Sequence, residues 1–300
     1  MSHETSSTPS PRQVVEDMLR KSPLNLGGAV SEQREIYRQM MQGLPTPQDV
    51  STDKTTIGGV PVVTHTPASA SGDTVLLYLH GGAYTFGSAS DSAAMICAIA
   101  RPVRATVISV DYRLAPEYPY PAALEDVIQV YRTLRGDHRG STICMVGESA
   151  GGGLVLSTLL ALKEQRLHQP SAAVVLSPWL DHAPTDRPAN ESQDLVLATE
   201  SLWIRSRDYL GSPDALPSAV DALNADLSGL APLHIQAGSS ELLLTDALRL
   251  AHRAATAHVP VELHVGARMQ HVFQNFRGLL PEADAAIRAA GDFLAAHRLS

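Results

Sequence analysis

Cysteine is scarce: the chain has two, Cys97 and Cys144. Each falls inside an apolar run, which reads as a buried thiol rather than half of a disulfide or a metal ligand. A reducing compartment suits such a chain, and a cytoplasmic location is expected. Long apolar runs are also missing. None approaches the ~18 residues that span a bilayer, so no stable membrane insertion is expected. No Lys/Arg-rich tract interrupts a net charge of −8, which argues against nucleic acid or an anionic membrane surface as partner. No His/Cys/Asp spacing matches a zinc site, and no metal is expected. The first ten residues are Ser/Thr-rich and lack an apolar h-region, so they read as a disordered tail rather than a secretory signal. Internal repeats are absent.

What remains is a globular composition, 44% hydrophobic and 18% charged, able to bury a sizeable core. Two helical patterns open the chain. Val14, Val15, Met18 and Leu19 share a helical spacing, and so do Ile36, Met40 and Met41 in a stretch over 30–42. Because they precede any strand signal, residues 1–50 read as appended cap helices and 51–300 as the main domain. Short apolar runs then follow at 60–64, 74–79, 105–110, 143–146, 172–176, 232–236 and 261–265. Between them lie helical patterns near 90–100, up to 135, 154–162, 242–258 and 282–297. Such alternation predicts an α/β fold, a mostly parallel sheet with helices on both faces. Over about 178–227 the alternation fails, leaving one helix near 202–210. An insertion of that length reads as a lid or pocket wall. The last strand is expected near a sheet edge, where polar Glu262 and His264 fit a protected edge or a dimer seam.

The densest chemical signal is Gly147-Glu148-Ser149-Ala150-Gly151, which leaves an apolar strand and enters a helix. A serine at so tight a turn needs neighbours without bulk two places either side, and Gly147 and Gly151 meet that demand. The following helix aims its free N–H groups at the serine. A serine hydroxyl needs a base within hydrogen-bond reach, and the base a carboxylate on its other nitrogen. Glu241 and His271 follow later strands in the chain order Ser, acid, His of α/β-hydrolases. His80-Gly81-Gly82-Ala83 leaves another buried strand, so its amides, with the N–H of Ala150, can form an oxyanion hole.

These pieces, with Asp111-Tyr112-Arg113-Leu114-Ala115-Pro116-Glu117 and Met269-Gln270-His271-Val272-Phe273, resemble the bacterial-type hormone-sensitive lipase family of α/β-hydrolase carboxylesterases. The likeness runs from about residue 58 to the end, and the opening helices resemble that family's N-terminal cap. It implies hydrolysis of short-chain carboxylic esters through an acyl-serine intermediate, with a small-molecule ester substrate and no cofactor. By position it implies Ser149 as nucleophile and His271 as base. Gly82, Ala83 and Ala150 would supply oxyanion amides, and Gly81 would shape the loop. A homodimer is also implied. Three departures stand out: Ala83 where the family usually has glycine, Glu148 where it has aspartate, and Glu241 at a position usually held by aspartate. Asp246 is the rival acid. Tyr84, Phe86, Trp203 and Met40 are candidate pocket residues. His80 reads as a brace for the loop, Asp111, Arg113 and Glu117 as a paired scaffold, and His182 as a surface histidine. A lactone or small-amide hydrolase would use the same machinery. A non-catalytic small-ligand receptor would not need all three triad positions filled.

Overall fold

Short, fully buried apolar segments have no room to bury one face only, and here they pair into an eight-stranded sheet. The computed structural model describes residues 9–42, 47–137, 142–182, 191–211 and 216–298. Its strands are β1 (Val50–Ile57), β2 (Val60–Pro67), β3 (Thr74–Leu79), β4 (Thr106–Val110), β5 (Thr142–Glu148), β6 (Ala173–Leu176), β7 (Leu233–Gly238) and β8 (Val261–Gly266). They lie in the order β1-β2-β4-β3-β5-β6-β7-β8. β1 and β2 form an antiparallel hairpin that continues antiparallel onto β4; every later pairing is parallel. The fold is the α/β-hydrolase fold.

Alternate residues of the central strands feed two cores. Leu77, Leu79, Met145, Val175 and Ile235 point to one face, covered by α4 (Ala122–Asp137), α5 (Ala150–Glu164) and α7 (Leu244–Thr256). Leu76, Tyr78, Cys144, Val146 and Val174 point to the other, against α3 (Ala93–Val103) and α8 (Pro281–Ala296). Burial on both faces is why these strands read as unbroken apolar runs. β1 gave no such signal. Its six inner residues are all exposed, so along its length it is held by backbone pairing with β2, and only its end residues Val50 and Ile57 pack against the cores.

Ahead of the sheet lie α1 (Pro11–Arg20) and α2 (Val30–Gln42). α1 starts with a capping box, the Ser10 hydroxyl taking the Gln13 N–H and the Gln13 side chain taking the Ser10 N–H. Of the tract expected to be disordered, residues 1–8 lie outside the described residues. Within the insertion expected over 178–227 one helix forms, α6 (Thr199–Leu210), and 183–190 and 212–215 lie outside the described residues. Among the described residues, no helix is long and apolar enough to cross a membrane.

Candidate active site

Strand register decides which loops meet. Leu79 sits beside Gly147, Glu148 beside Leu176, Leu176 beside Gln236, and Gly238 beside Gly266. The carboxyl ends of β3, β5, β6, β7 and β8 therefore stop at one edge. The strand order also reverses direction about β3, with β4 on one side and β5 on the other. Crevices outside such a switch point are where ligands bind in open α/β sheets. The loops after β3 and β5 are neighbours there.

Ser149 occupies the turn between β5 and α5 with φ 52° and ψ −120°, a conformation that costs about 1–3 kcal/mol for a residue with a side chain. The turn closes because nothing stands in the way. A Cβ at Gly147 would run into the Gly151 carbonyl, and one at Gly151 into the Leu79 carbonyl. The strained serine is held by its own backbone. Its N–H donates to Leu176 O at 2.9 Å, and its carbonyl accepts from Gly153 and Trp179.

Three side chains converge on this point. His271 Nδ1–H donates to Glu241 Oε2 at 3.2 Å, which leaves Nε2 to accept from the Ser149 hydroxyl at 3.0 Å. Burial pulls the His271 pKa down, but the Glu241 hydrogen bond and charge, aided by Asp194 and Glu148, leave it above the ordinary imidazole value. Burial raises the Glu241 carboxyl, and the His271 and Ser177 hydrogen bonds offset only part of that. Ser177, at the end of β6, was not singled out from the sequence. Its hydroxyl donates to Glu241 Oε2 at 2.7 Å and accepts from the Val272 N–H at 3.1 Å, tying the acid to the backbone next to His271.

The insertion fastens both loops from outside. Asp194 Oδ2 accepts from the Leu242 N–H, next to Glu241, while its Oδ1 takes the Val196 and Leu197 N–H groups. Gln270, next to His271, accepts from the Leu195 N–H and donates to the Gln193 carbonyl. Asp246 lies elsewhere. Its Oδ2 takes the N–H groups of Leu180 and Asp181 at 2.8 and 2.9 Å, so it pins the turn after β6.

The loop after β3 turns sharply, with Gly82, Ala83 and Tyr84 at φ 108°, 53° and 60°. Its carbonyl at Gly82 accepts from the Thr85 and Phe86 N–H groups. Among the described residues, nothing accepts the N–H of Gly82, Ala83 or Ala150. Gly81 instead donates toward Glu148 Oε1 at 3.4 Å, an oxygen that also receives the Tyr78 and Ser92 hydroxyls at 2.7 and 2.8 Å. The extra methylene of Glu148 reaches this bracing cluster. His80 Nδ1–H donates to Gly81 O at 2.7 Å, and the ring stacks on Tyr112 at 4.1 Å. Burial pushes its pKa down to about 4, so it stays neutral near neutral pH. Asp111 accepts from the Ala89 N–H, Arg113 pairs with Asp126 and Glu125, and Glu117 pairs with Arg34.

The four candidate pocket residues divide. Tyr84 and Phe86 are buried beside the turn. Trp203 is 41% exposed under the Arg207 guanidinium, and Met40 is 36% exposed near Ser22. Tyr37 was missed. It stacks on Phe86 at 6.4 Å, and burial together with the charge of Glu148 holds its phenol well above the usual pKa. His182 is a correction: it is buried among the rings of Tyr84, Trp179 and Tyr209 rather than on the surface. Loop composition conceals this, because Tyr84 and Tyr209 come from distant elements and only Trp179 is close in sequence. Among the described residues, no group of three His, Cys, Asp or Glu side chains is arranged to hold a metal.

Comparison with known proteins agrees with this architecture. A family described by the alpha/beta hydrolase fold matches residues 76–275. The chain belongs to this family, among the esterases of the bacterial hormone-sensitive lipase type. It is 33% identical over 286 residues to an acetyl-hydrolase of Streptomyces hygroscopicus, covering 94% of this chain and 95% of that one. With an esterase of Acinetobacter venetianus it shares 32% identity, at 91% coverage of both chains. A solved esterase of the bacterial hormone-sensitive lipase family superimposes with a TM-score of 0.91 at 37% identity, covering 97% of this chain and 99% of that one.

Proposed function

We propose that the protein is a serine carboxylesterase that hydrolyses short-chain carboxylic esters through an acyl-serine intermediate. The observation that carries this is the hydrogen-bonded run Glu241–His271–Ser149, set beside the Gly82, Ala83 and Ala150 N–H groups, for which the described residues offer no acceptor. His271 Nε2 takes the hydroxyl proton as Ser149 Oγ bonds to the ester carbonyl carbon. The oxygen that gains the charge lies against the N–H groups of Gly82, Ala83 and Ala150. Collapse breaks the bond to the alcohol oxygen, which leaves with the proton from the His271 imidazolium. Water then repeats the sequence on the acyl-serine, with His271 as base, and frees the carboxylic acid. Glu241 stays ionised and holds the imidazolium. Similarity to an acetyl-hydrolase supports a small acyl group. Free, buried thiols at Cys97 and Cys144, with pKa values pushed up to about 11 and about 12, suit a reducing cytoplasm.

The test is hydrolysis of p-nitrophenyl esters from acetate to decanoate by the wild type and Ser149→Ala. Activity that peaks at the short esters and drops by about 10⁴-fold or more in the variant is expected. A folded wild type inactive across the series, but active on lactones or small amides, would move the proposal to those substrates. Full activity in Ser149→Ala would end it.

A further inference from the structure

Gly82, Ala83 and Tyr84 form three successive residues in the left-handed region, and two of them carry a side chain. Glycine adopts such angles freely; alanine and tyrosine do not. The turn's own hydrogen bonds converge on the Gly82 carbonyl, which leaves the Ala83–Tyr84 pair to be held from outside.

The holding groups come from the two halves of the cap. From α2, Arg34 Nε donates to Thr85 O at 2.8 Å, and Nη2 donates to Ala115 O at 2.9 Å. Glu117 fixes the same guanidinium from the far side with bonds of 2.8 and 2.7 Å. Ala115 in turn donates its N–H to Tyr84 O at 2.9 Å. From α6, the Tyr209 ring stacks on the Tyr84 ring at 3.7 Å and 4°. The Tyr209 carbonyl accepts from the Tyr120 N–H. Arg205, one turn earlier, lies 5.6 Å over Phe86 and donates to Gly28 O at 3.2 Å, joining the two halves. Residues 84, 85 and 86 are thus each gripped by a different cap side chain.

We infer that Arg34 and Tyr209 are positioning residues for catalysis: by docking on residues 84–86, the cap holds the strained turn in the shape that presents the Gly82 and Ala83 amides to the oxyanion. This rests on the esterase reading above. The cap is then part of the catalytic machinery as well as a boundary of the pocket. Loosening it weakens transition-state stabilisation more than substrate binding, because the amides bond most strongly to the charge that develops on the carbonyl oxygen.

Arg34→Met keeps the stem and removes the donors. Kinetics on p-nitrophenyl acetate should show kcat lowered by about 10–100-fold with KM within about threefold, less than the full loss of an oxyanion donor. Affinity for a trifluoromethyl ketone, which mimics the tetrahedral adduct, should fall by a similar factor. Arg34→Lys should recover part of kcat. Ala83→Gly, added to Arg34→Met, should raise kcat by a larger factor than Ala83→Gly alone, since glycine needs no outside grip. Tyr209→Leu should lower kcat more than Tyr209→Phe, which keeps the stacked ring. A folded Arg34→Met with unchanged kcat, or a loss confined to KM, overturns the inference. If Arg34→Met does not fold, Tyr209→Leu decides by the same criteria. Ser149→Ala run alongside separates the two readings. Full turnover there sinks the esterase mechanism, whereas unaltered kcat in Arg34→Met sinks only the role of the cap.

Discussion

Glu241 has no exposed surface, and a carboxylate that deep keeps its charge only through the groups on its Oε2. Both His271 and Ser177 use that oxygen, and among the described residues Oε1 has no hydrogen-bond partner. Glu241→Ala is therefore expected to cut turnover by about 10³–10⁴-fold in a folded protein. Asp246→Ala should keep most activity but lose about 1–3 kcal/mol in denaturant titration, since it strands the buried Leu180 N–H. The reverse pattern would exchange their roles. His271 must be neutral to act as base, and its pKa is raised. The acid limb of kcat/KM should consequently lie above the ordinary imidazole value, activity falling as pH drops through it. Asp194→Asn removes a negative charge that favours the imidazolium, so it should move that limb to lower pH. An unmoved limb would remove Asp194 from the electrostatics of the site. Neither Ser177 nor Asp194 was legible beforehand. Each acts across more than forty positions of sequence, and a lone Ser or Asp in a loop carries no periodic signal.

The central parallel strands and the turn at Ser149 were legible because burial on both faces leaves unbroken apolar runs, and a tight turn demands glycine. A change at that turn should be felt throughout the element. Gly151→Ala places a methyl group against the Leu79 and His80 carbonyls, and is expected to lower stability by about 2–4 kcal/mol together with activity; denaturant titration checks it. β1 was missed for the opposite reason: its exposed Ser51–Thr56 stretch has polar residues on both faces, so neither alternation nor an apolar run marks it. The two opening helices, α1 and α2, were visible as periodic faces, but their side-chain partners were not. Arg34 meets Thr85 across fifty-one positions, a pairing that only the folded chain brings about.

At the scale of the whole molecule, β8 is the last strand of the sheet, and among the described residues no strand pairs with its outer edge. Leu263 and Val265 are 39% and 37% exposed there, on a stretch that reads Val261-Glu262-Leu263-His264-Val265. Antiparallel pairing of two copies centred on Leu263 would set Glu262 opposite His264 of the second copy and Val261 opposite Val265, a self-complementary seam. Light scattering is expected to give twice the chain mass, with Leu263→Asp reducing it to one; a monomeric wild type rules out the seam. Ser149 is the residue expected to carry the acyl group, and trapping the acyl-enzyme tests this most directly. After rapid acid quench during turnover of a short p-nitrophenyl ester, mass spectrometry of the digested protein should find the acyl group on the peptide containing Ser149. It should be absent from Ser149→Ala. Turnover that continues with the acyl group on another residue, or with Ser149 replaced, would contradict the account.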